Sequence, residues 1–210
     1  MIPSKPPPRH LSMIRGFHLA DCLTLGNAAC GTLAVFAVVA YVETRDVRCL
    51  LSASALVPVA LVLDVLDGRV ARWRRRHSAM GRELDSLADV ISFGVAPAAI
   101  AYGAGLTGLW DVVILLYFVA CGVSRLARFN VTAEQLSTDA GKVEYFEGTP
   151  IPTSVVLVGV VAACAWLGRV GDALPLGAVS LGPGRLHPLA LLWAASGSLM
   201  ISKTLRIPKP

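Results

Sequence analysis

Charge is what this sequence has least of. Charged residues fill 16% of its 210 positions and hydrophobic ones 55%, where a soluble domain carries about 25% charged. A water-facing surface needs more charge than that, so the composition argues against a soluble domain and for lipid as the solvent. Paired cysteines are missing too. Cys22, Cys30, Cys49, Cys121 and Cys164 are odd in number, scattered through apolar stretches, and form no CxxC pair. They read as small buried hydrophobes, neither a disulfide frame nor a zinc site. No small-residue cleavage site follows the first apolar run, so that run reads as a membrane span and not a removable leader. No internal repeat is visible, which withholds support from transporter folds built of repeated halves. Gly103-Ala-Gly105-Leu-Thr-Gly108 spells a dinucleotide fingerprint but follows no strand, so it carries no such function.

What is present is a series of apolar runs. A spanning helix needs about 20 mostly apolar residues, and six candidates occur. They run from Leu23 to Val42, from Leu50 to Leu66 and on towards Arg72, and from Leu84 to Tyr102. The others run from Leu109 to Gly122 and on towards Phe129, from Ile151 to Leu167, and from Pro188 to Leu205. The expected fold is therefore all-α and polytopic, with six transmembrane helices. Residues 1–10 read as a disordered cytosolic tail, and residues 11–210 as one membrane domain. Met13 to Ala20 is expected to lie along the interface as a short amphipathic helix. Fifteen of the 19 basic residues fall on one side of these spans; only Arg45, Arg48, Arg169 and Arg185 fall on the other. The positive-inside rule then puts both termini and the two basic loops in the cytoplasm. The net charge of +5 is thus explained by membrane topology, and no nucleic-acid partner is expected. The composition fits a prokaryotic inner membrane. Asn130-Val-Thr132 spells a glycosylation sequon but falls on the cytosolic side.

The chemistry concentrates in one segment. Asp64 and Asp67 are three apart at the end of the second span, and Asp85 and Asp89 are four apart at the start of the third. Both spacings put side chains on one helix face. Two antiparallel helices joined by a short basic turn would therefore turn two carboxylates each towards one another. A single aspartate at the centre of a membrane helix costs about 2.5–3.5 kcal/mol on insertion scales. Two like charges about 4 Å apart add about 4 kcal/mol at an effective dielectric of 20. A structural carboxylate–arginine network or a cation-coupled transporter would also use such acids. A bound divalent cation accounts for them more economically, and all-oxygen ligands suit Mg²⁺ or Mn²⁺. Gly68 removes a side chain where a ligand would approach the backbone, Ala71 keeps the same face small, and Gly81 lets the turn enter the next helix. Arg72 is placed for a bidentate phosphate contact, and Ser78 is a possible hydroxyl donor. Arg125 and Arg128, on one helix face, are candidates for a carboxylate or lipid phosphate, with Asn130 beside them. Asn27 and Thr24 are polar residues in an apolar run, placed for helix packing or for the same ligand. Arg74, Arg75 and Arg76 read as headgroup anchors.

The pattern D-x₂-D-G-x₂-A-R-x₈-G-x₃-D-x₃-D resembles the signature of the CDP-alcohol phosphotransferases. Asp64, Asp67, Gly68, Ala71, Arg72, Gly81, Asp85 and Asp89 fill every fixed position. The resemblance implies a six-helix membrane fold, a homodimer and two divalent metal ions. It implies metal ligation by Asp64, Asp67, Asp85 and Asp89, with Asp89 also the general base on the acceptor hydroxyl. Asp64, Gly68, Ala71, Arg72, Ser78 and Gly81 would line the CDP site. Asp85-Ser-Leu-Ala-Asp89-Val-Ile-Ser-Phe-Gly-Val-Ala-Pro97, Leu23-Thr-Leu-Gly-Asn27 and Arg125-Leu-Ala-Arg128-Phe-Asn130 are similar to the group within that family that uses L-serine. So are Tyr145-Phe-Glu-Gly-Thr-Pro150-Ile-Pro152 and Leu199-Met-Ile-Ser-Lys203. This implies CDP-diacylglycerol and L-serine as substrates. Glycerol-3-phosphate, inositol or inositol phosphate as acceptor, or an archaeal CDP-lipid as donor, stay open. No His-x-Lys pair occurs, which excludes the phospholipase-D-like route to the same product.

Overall fold

The run from Leu19 to Thr44 has no proline and few charges, and it forms one helix, α1 (Leu19–Thr44). At 1.5 Å per residue its 26 residues reach about 39 Å, more than the hydrocarbon core. The helix ends where Arg45 turns left-handed, at φ 57°. The Asp46 carboxylate then accepts the Arg48 backbone N–H at 2.9 Å and starts α2 (Val47–Arg74). A computed structural model describes residues 19–74, 79–138, 145–202 and 206–208. Beyond α2 come α3 (Ala79–Asp89), a π-helical segment (Val90–Val95), and α4 (Ala96–Ala104). These three form one continuous apolar helix. Then follow α5 (Leu109–Thr138), β1 (Tyr145–Glu147), α6 (Ser154–Trp166), β2 (Val179–Leu181), β3 (Gly184–Leu186), α7 (Leu191–Ile201) and β4 (Arg206–Pro208).

Among the described residues, four helical stretches are long and apolar enough to cross a membrane: Ala20–Thr44, Val47–Val70, Met80–Ala104 and Leu109–Val131. Two shorter apolar helices, Ile151–Trp166 and Pro188–Ile201, reach about 24 Å and 21 Å at the helical rise. All six fall where the apolar runs predict them. The outer surface is apolar where a soluble protein's would be polar. Leu33, Phe36, Val39, Val62, Leu116 and Val156 face outward, while Asn27, Ser92 and Asp111 are fully buried. Exposed apolar side chains around a largely apolar core that also holds a few buried polar groups are what lipid as solvent selects. The third span is the hub. Of its most apolar stretch 61% is buried inside the fold, against 28% in each of the other three.

The helices approach closely where side chains are small. Ala34 of α1 and Ala53, Val57 and Ala60 of α2 are fully buried, and these two helices share the most extensive interface in the fold. A Cβ added at Gly197 of α7 would lie 3.2 Å from Phe118 Cα of α5. Small residues at such crossings let backbones pack without lipid between them.

The fold departs from all-α in two places. β2 and β3 form an antiparallel hairpin between α6 and α7, and β1 pairs antiparallel with β4, Phe146 opposite Ile207. The second ribbon also explains why the last helix is shorter than the apolar run predicts. Ser202 is already extended, at φ −66° and ψ 126°, because the chain turns there to meet the strand before α6. The expected tail, the basic residues Arg75, Arg76 and Lys142, and all but the last two residues of the expected interfacial helix lie outside the described residues.

At the end of the molecule away from the four aspartates, one buried carboxylate ties three elements together. Asp111, in the first turn of α5, accepts the backbone N–H groups of Gly108 (2.9 Å) and His187 (2.7 Å), and it pairs with His187 Nδ1 at 2.6 Å. Replacing Asp111 with Ala strands these donors, at roughly 1–3 kcal/mol for an unsatisfied buried group. We expect Asp111→Ala to lower the thermal unfolding midpoint in detergent by several degrees, and Asp111→Asn to lower it less.

Candidate active site

The last three turns of α2 and the three turns of α3 face each other. The i, i+3 pair Asp64/Asp67 and the i, i+4 residue Asp85 converge there: one carboxylate oxygen from each lies within 4.8 Å of the others. Asp67 and Asp89 are buried; Asp64 and Asp85 are half-buried. Asp89 stands outside the group of three, one turn further along the third span. It remains close enough to Asp64, Asp85 and Asp67 for their charges to interact.

α1 supplies the polar contacts that hold two of these carboxylates. Thr24 Oγ1 donates to Asp67 Oδ2 at 2.7 Å, and Asn27 Nδ2 donates to Asp89 Oδ1 at 3.2 Å. Thr24 and Asn27 are three apart, on one face, so a single turn of α1 reaches both halves of the cluster. Helix packing is thus only part of their role. The sequence signal for it was their polarity inside an apolar run. Ser92 was not foreseen: it is fully buried in the π segment and donates from Oγ to the backbone oxygen of Asn27 at 2.8 Å.

α5 adds the basic side. Arg125 is half-buried, and its charge interacts with that of Asp89. Its Nε is buried without a hydrogen-bond partner among the described residues, a donor left over for a ligand. Arg128, one turn on, is exposed. The Asn130 side chain is engaged within the protein. Its Nδ2 donates to Ser86 Oγ at 3.0 Å and to Glu83 Oε2 at 3.3 Å, and it ties α5 to α3. Gly68 and Gly81 are half-buried, in the last turns of α2 and the first turn of α3. Ala71 and Arg72 continue α2 beyond Gly68. Ser78 and the Ala71 and Arg72 side chains lie outside the described residues.

Whether these residues fit a divalent cation is decided by their donors. Three carboxylates at this separation repel by several kcal/mol at an effective dielectric of 20, and Thr24 donates to only one of them. Asp85 Oδ1 is buried with no hydrogen-bond partner, an acceptor that nothing in the described protein satisfies. The donor set is all oxygen, the preference of hard cations such as Mg²⁺ or Mn²⁺. The residues fit such an ion.

Fold and site together define a polytopic membrane protein with an acidic centre, of a donor set that fits a cation, at one end of its helices. The chain belongs to the CDP-alcohol phosphatidyltransferase family, which its residues 17–195 match, and it is an enzyme of that type. It is 45% identical over 204 residues to the CDP-diacylglycerol–serine O-phosphatidyltransferase of Saccharomyces cerevisiae, covering 96% of this chain and 74% of that one. Proteins of the same name are 38% identical over 132 residues in Bacillus subtilis (62% of this chain, 67% of that one) and 46% identical over 114 residues in Mycobacterium leprae (53% and 38%).

The cluster sets up opposite responses to neutralisation. In Asp85→Asn the metal-free protein loses repulsion, so its unfolding midpoint in EDTA should hold or rise. The further rise produced by Mn²⁺ in the wild type should shrink or vanish. Thermal unfolding with and without Mn²⁺ reads both.

Proposed function

We propose that this protein transfers the phosphatidyl group of CDP-diacylglycerol to the hydroxyl of L-serine, releasing CMP and leaving phosphatidylserine in the bilayer. The observation that carries this reading is the convergence of Asp64, Asp67 and Asp85 within 4.8 Å, with Asp89 and Arg125 beside them. The identity to the yeast protein along almost the whole chain supports serine as the acceptor.

Asp64, Asp67 and Asp85, with Asp89 nearby, would hold two Mg²⁺ or Mn²⁺ ions. When bound, these ions supply charge neutralisation for the pyrophosphate and for the departing CMP. Asp64, Gly68, Ala71, Arg72, Ser78 and Gly81 form the CDP site in this reading. The small residues let the nucleotide approach the helix backbone, and Arg72 contacts phosphate. Arg125 takes the carboxylate of serine through its spare donor, with Arg128 at the rim. Asn130 holds the α3–α5 wall, with its amide spent on Ser86 and Glu83. Asp89 accepts the proton of the serine hydroxyl. The serine oxygen then bonds to the phosphorus that carries diacylglycerol, and the bond from that phosphorus to the CMP oxygen breaks. A site at the ends of α2 and α3 sits at the membrane surface, where one substrate is dissolved in water and the other in lipid.

The topology that goes with this reading has six spans, α6 and α7 with their leading 3₁₀ turns being the two short ones. Both termini and the active site face the cytoplasm, as the distribution of basic residues implies, and the enzyme works as a homodimer.

The test is CMP release by purified protein with CDP-diacylglycerol and Mn²⁺, comparing L-serine, glycerol-3-phosphate and inositol. Release should depend on serine, and Asp89→Asn should lower kcat by roughly 10²-fold or more. Release with another acceptor alone would overturn the serine assignment. Release with none, from folded protein, would favour a cation-coupled transporter. Gly68→Leu should raise the KM for CDP-diacylglycerol severalfold or block its entry.

A further inference from the structure

We propose that Asn27 is a positioning residue for Asp89, and that a backbone joint between Gly31 and Ser92 sets the height at which it does so. This rests on the assignment of Asp89 as the base.

An amide buried in an apolar helix is costly unless its hydrogen bonds are made. Asn27 is fully buried: its Oδ1 has no hydrogen-bond partner among the described residues, and its Nδ2 donates to Asp89 Oδ1. That bond occupies one oxygen of the carboxylate and leaves the other to accept a proton. The donor is neutral, so it orients Asp89 without adding to the positive charge that Arg125 already brings to bear on it.

The position of Asn27 is itself fixed by the segment that follows Asp89. The third span is α-helical up to Asp89 and then widens. The Ala96 N–H bonds to the oxygen of Ile91, five residues back, the mark of a π turn and a frequent companion of functional sites. Ser92 lies in this widened turn and donates to the backbone oxygen of Asn27. So one residue of α1 is gripped at two points. Its side chain meets Asp89, and its carbonyl meets the residue three positions further on.

Gly31 makes the grip possible. A Cβ there would lie 2.5 Å from Ser92 Oγ, 2.7 Å from Ser92 Cα and 3.0 Å from Ser92 N. Two of those three atoms are backbone, so a methyl group could not be absorbed by a rotamer change. It would push α1 away from the π segment, one helical turn from Asn27. Gly31 therefore controls the reach of Asn27 without itself standing at the aspartates.

A packing role and a positioning role differ in what they move. Packing alone predicts a change in stability at unchanged turnover. Contact with the acceptor predicts a raised KM for serine. Positioning of the base predicts a lowered kcat, with the KM for serine and the thermal stabilisation by CMP plus Mn²⁺ unchanged. Misplacing a reacting group by about 1 Å can cost roughly 10²-fold.

The experiment is steady-state kinetics on Asn27→Ala, Ser92→Ala and Gly31→Ala beside Asp89→Asn, with CMP and Mn²⁺ thermal shifts confirming a folded site. We expect kcat to fall about 30–100-fold in Asn27→Ala and about 3–10-fold in the near-isosteric Ser92→Ala, with Gly31→Ala between them. The KM for serine should stay within about twofold throughout. Wild-type kcat in Asn27→Ala with Asp89→Asn inactive overturns the positioning role alone, as does a loss expressed wholly in the KM for serine. Wild-type kcat in Ser92→Ala and Gly31→Ala overturns the joint. An active Asp89→Asn overturns the base assignment and this inference with it.

Discussion

Mutual repulsion among aspartates at the edge of a low-dielectric layer is the constraint to which the rest of this molecule answers. Asp64, Asp67 and Asp85 bring oxygens within 4.8 Å of one another, with Asp89 behind them. Each pair at such a distance opposes folding by several kcal/mol unless a cation or donors intervene. Thr24 and Asn27 each offset part of that for one carboxylate. Arg125 acts on Asp89 from α5. What these leave unbalanced, above all Asp85 Oδ1, which has no hydrogen-bond partner among the described residues, is what a bound cation would offset.

Holding such a cluster needs rigid supports, and the helix arrangement supplies them. The third span is the most enclosed of the four long helices. It carries Asp85 and Asp89 from a packed interior out to the rim. α1 crosses both acid-bearing helices and touches each through one polar side chain. Away from the site, the Asp111–His187 contact fastens the start of α5 to the start of α7. The β1–β4 ribbon joins the chain ahead of α6 to the chain beyond α7.

Much of this was legible in the residues, for physical reasons. Apolar runs long enough to span lipid must be helical, because no water is there to satisfy an open backbone. All six therefore lie where composition puts them. The aspartates were legible because spacings of three and four have one meaning on a helix. The ribbons were not: a three-residue strand such as Tyr145–Glu147 is too short to carry a legible pattern, and its partner, Arg206–Pro208, is some sixty residues away. The π turn after Asp89 left no mark either, since Val-Ile-Ser-Phe-Gly-Val reads as ordinary span sequence. Thr24 and Asn27 stood out as polar residues, but their partners, 43 and 62 positions along the chain, follow only from how α1 packs. Asn130 looked free to meet a ligand because nothing in its own helix uses its amide. Glu83 and Ser86 come from another helix.

The most direct measurement is a crystal structure with Mn²⁺ and CDP-diacylglycerol, with anomalous differences collected at the manganese edge. The account requires manganese density among Asp64, Asp67 and Asp85, at ligating distances of about 2.0–2.6 Å, with the pyrophosphate of the lipid on the same ion. Manganese elsewhere, or a pyrophosphate bound away from the three aspartates, would contradict it.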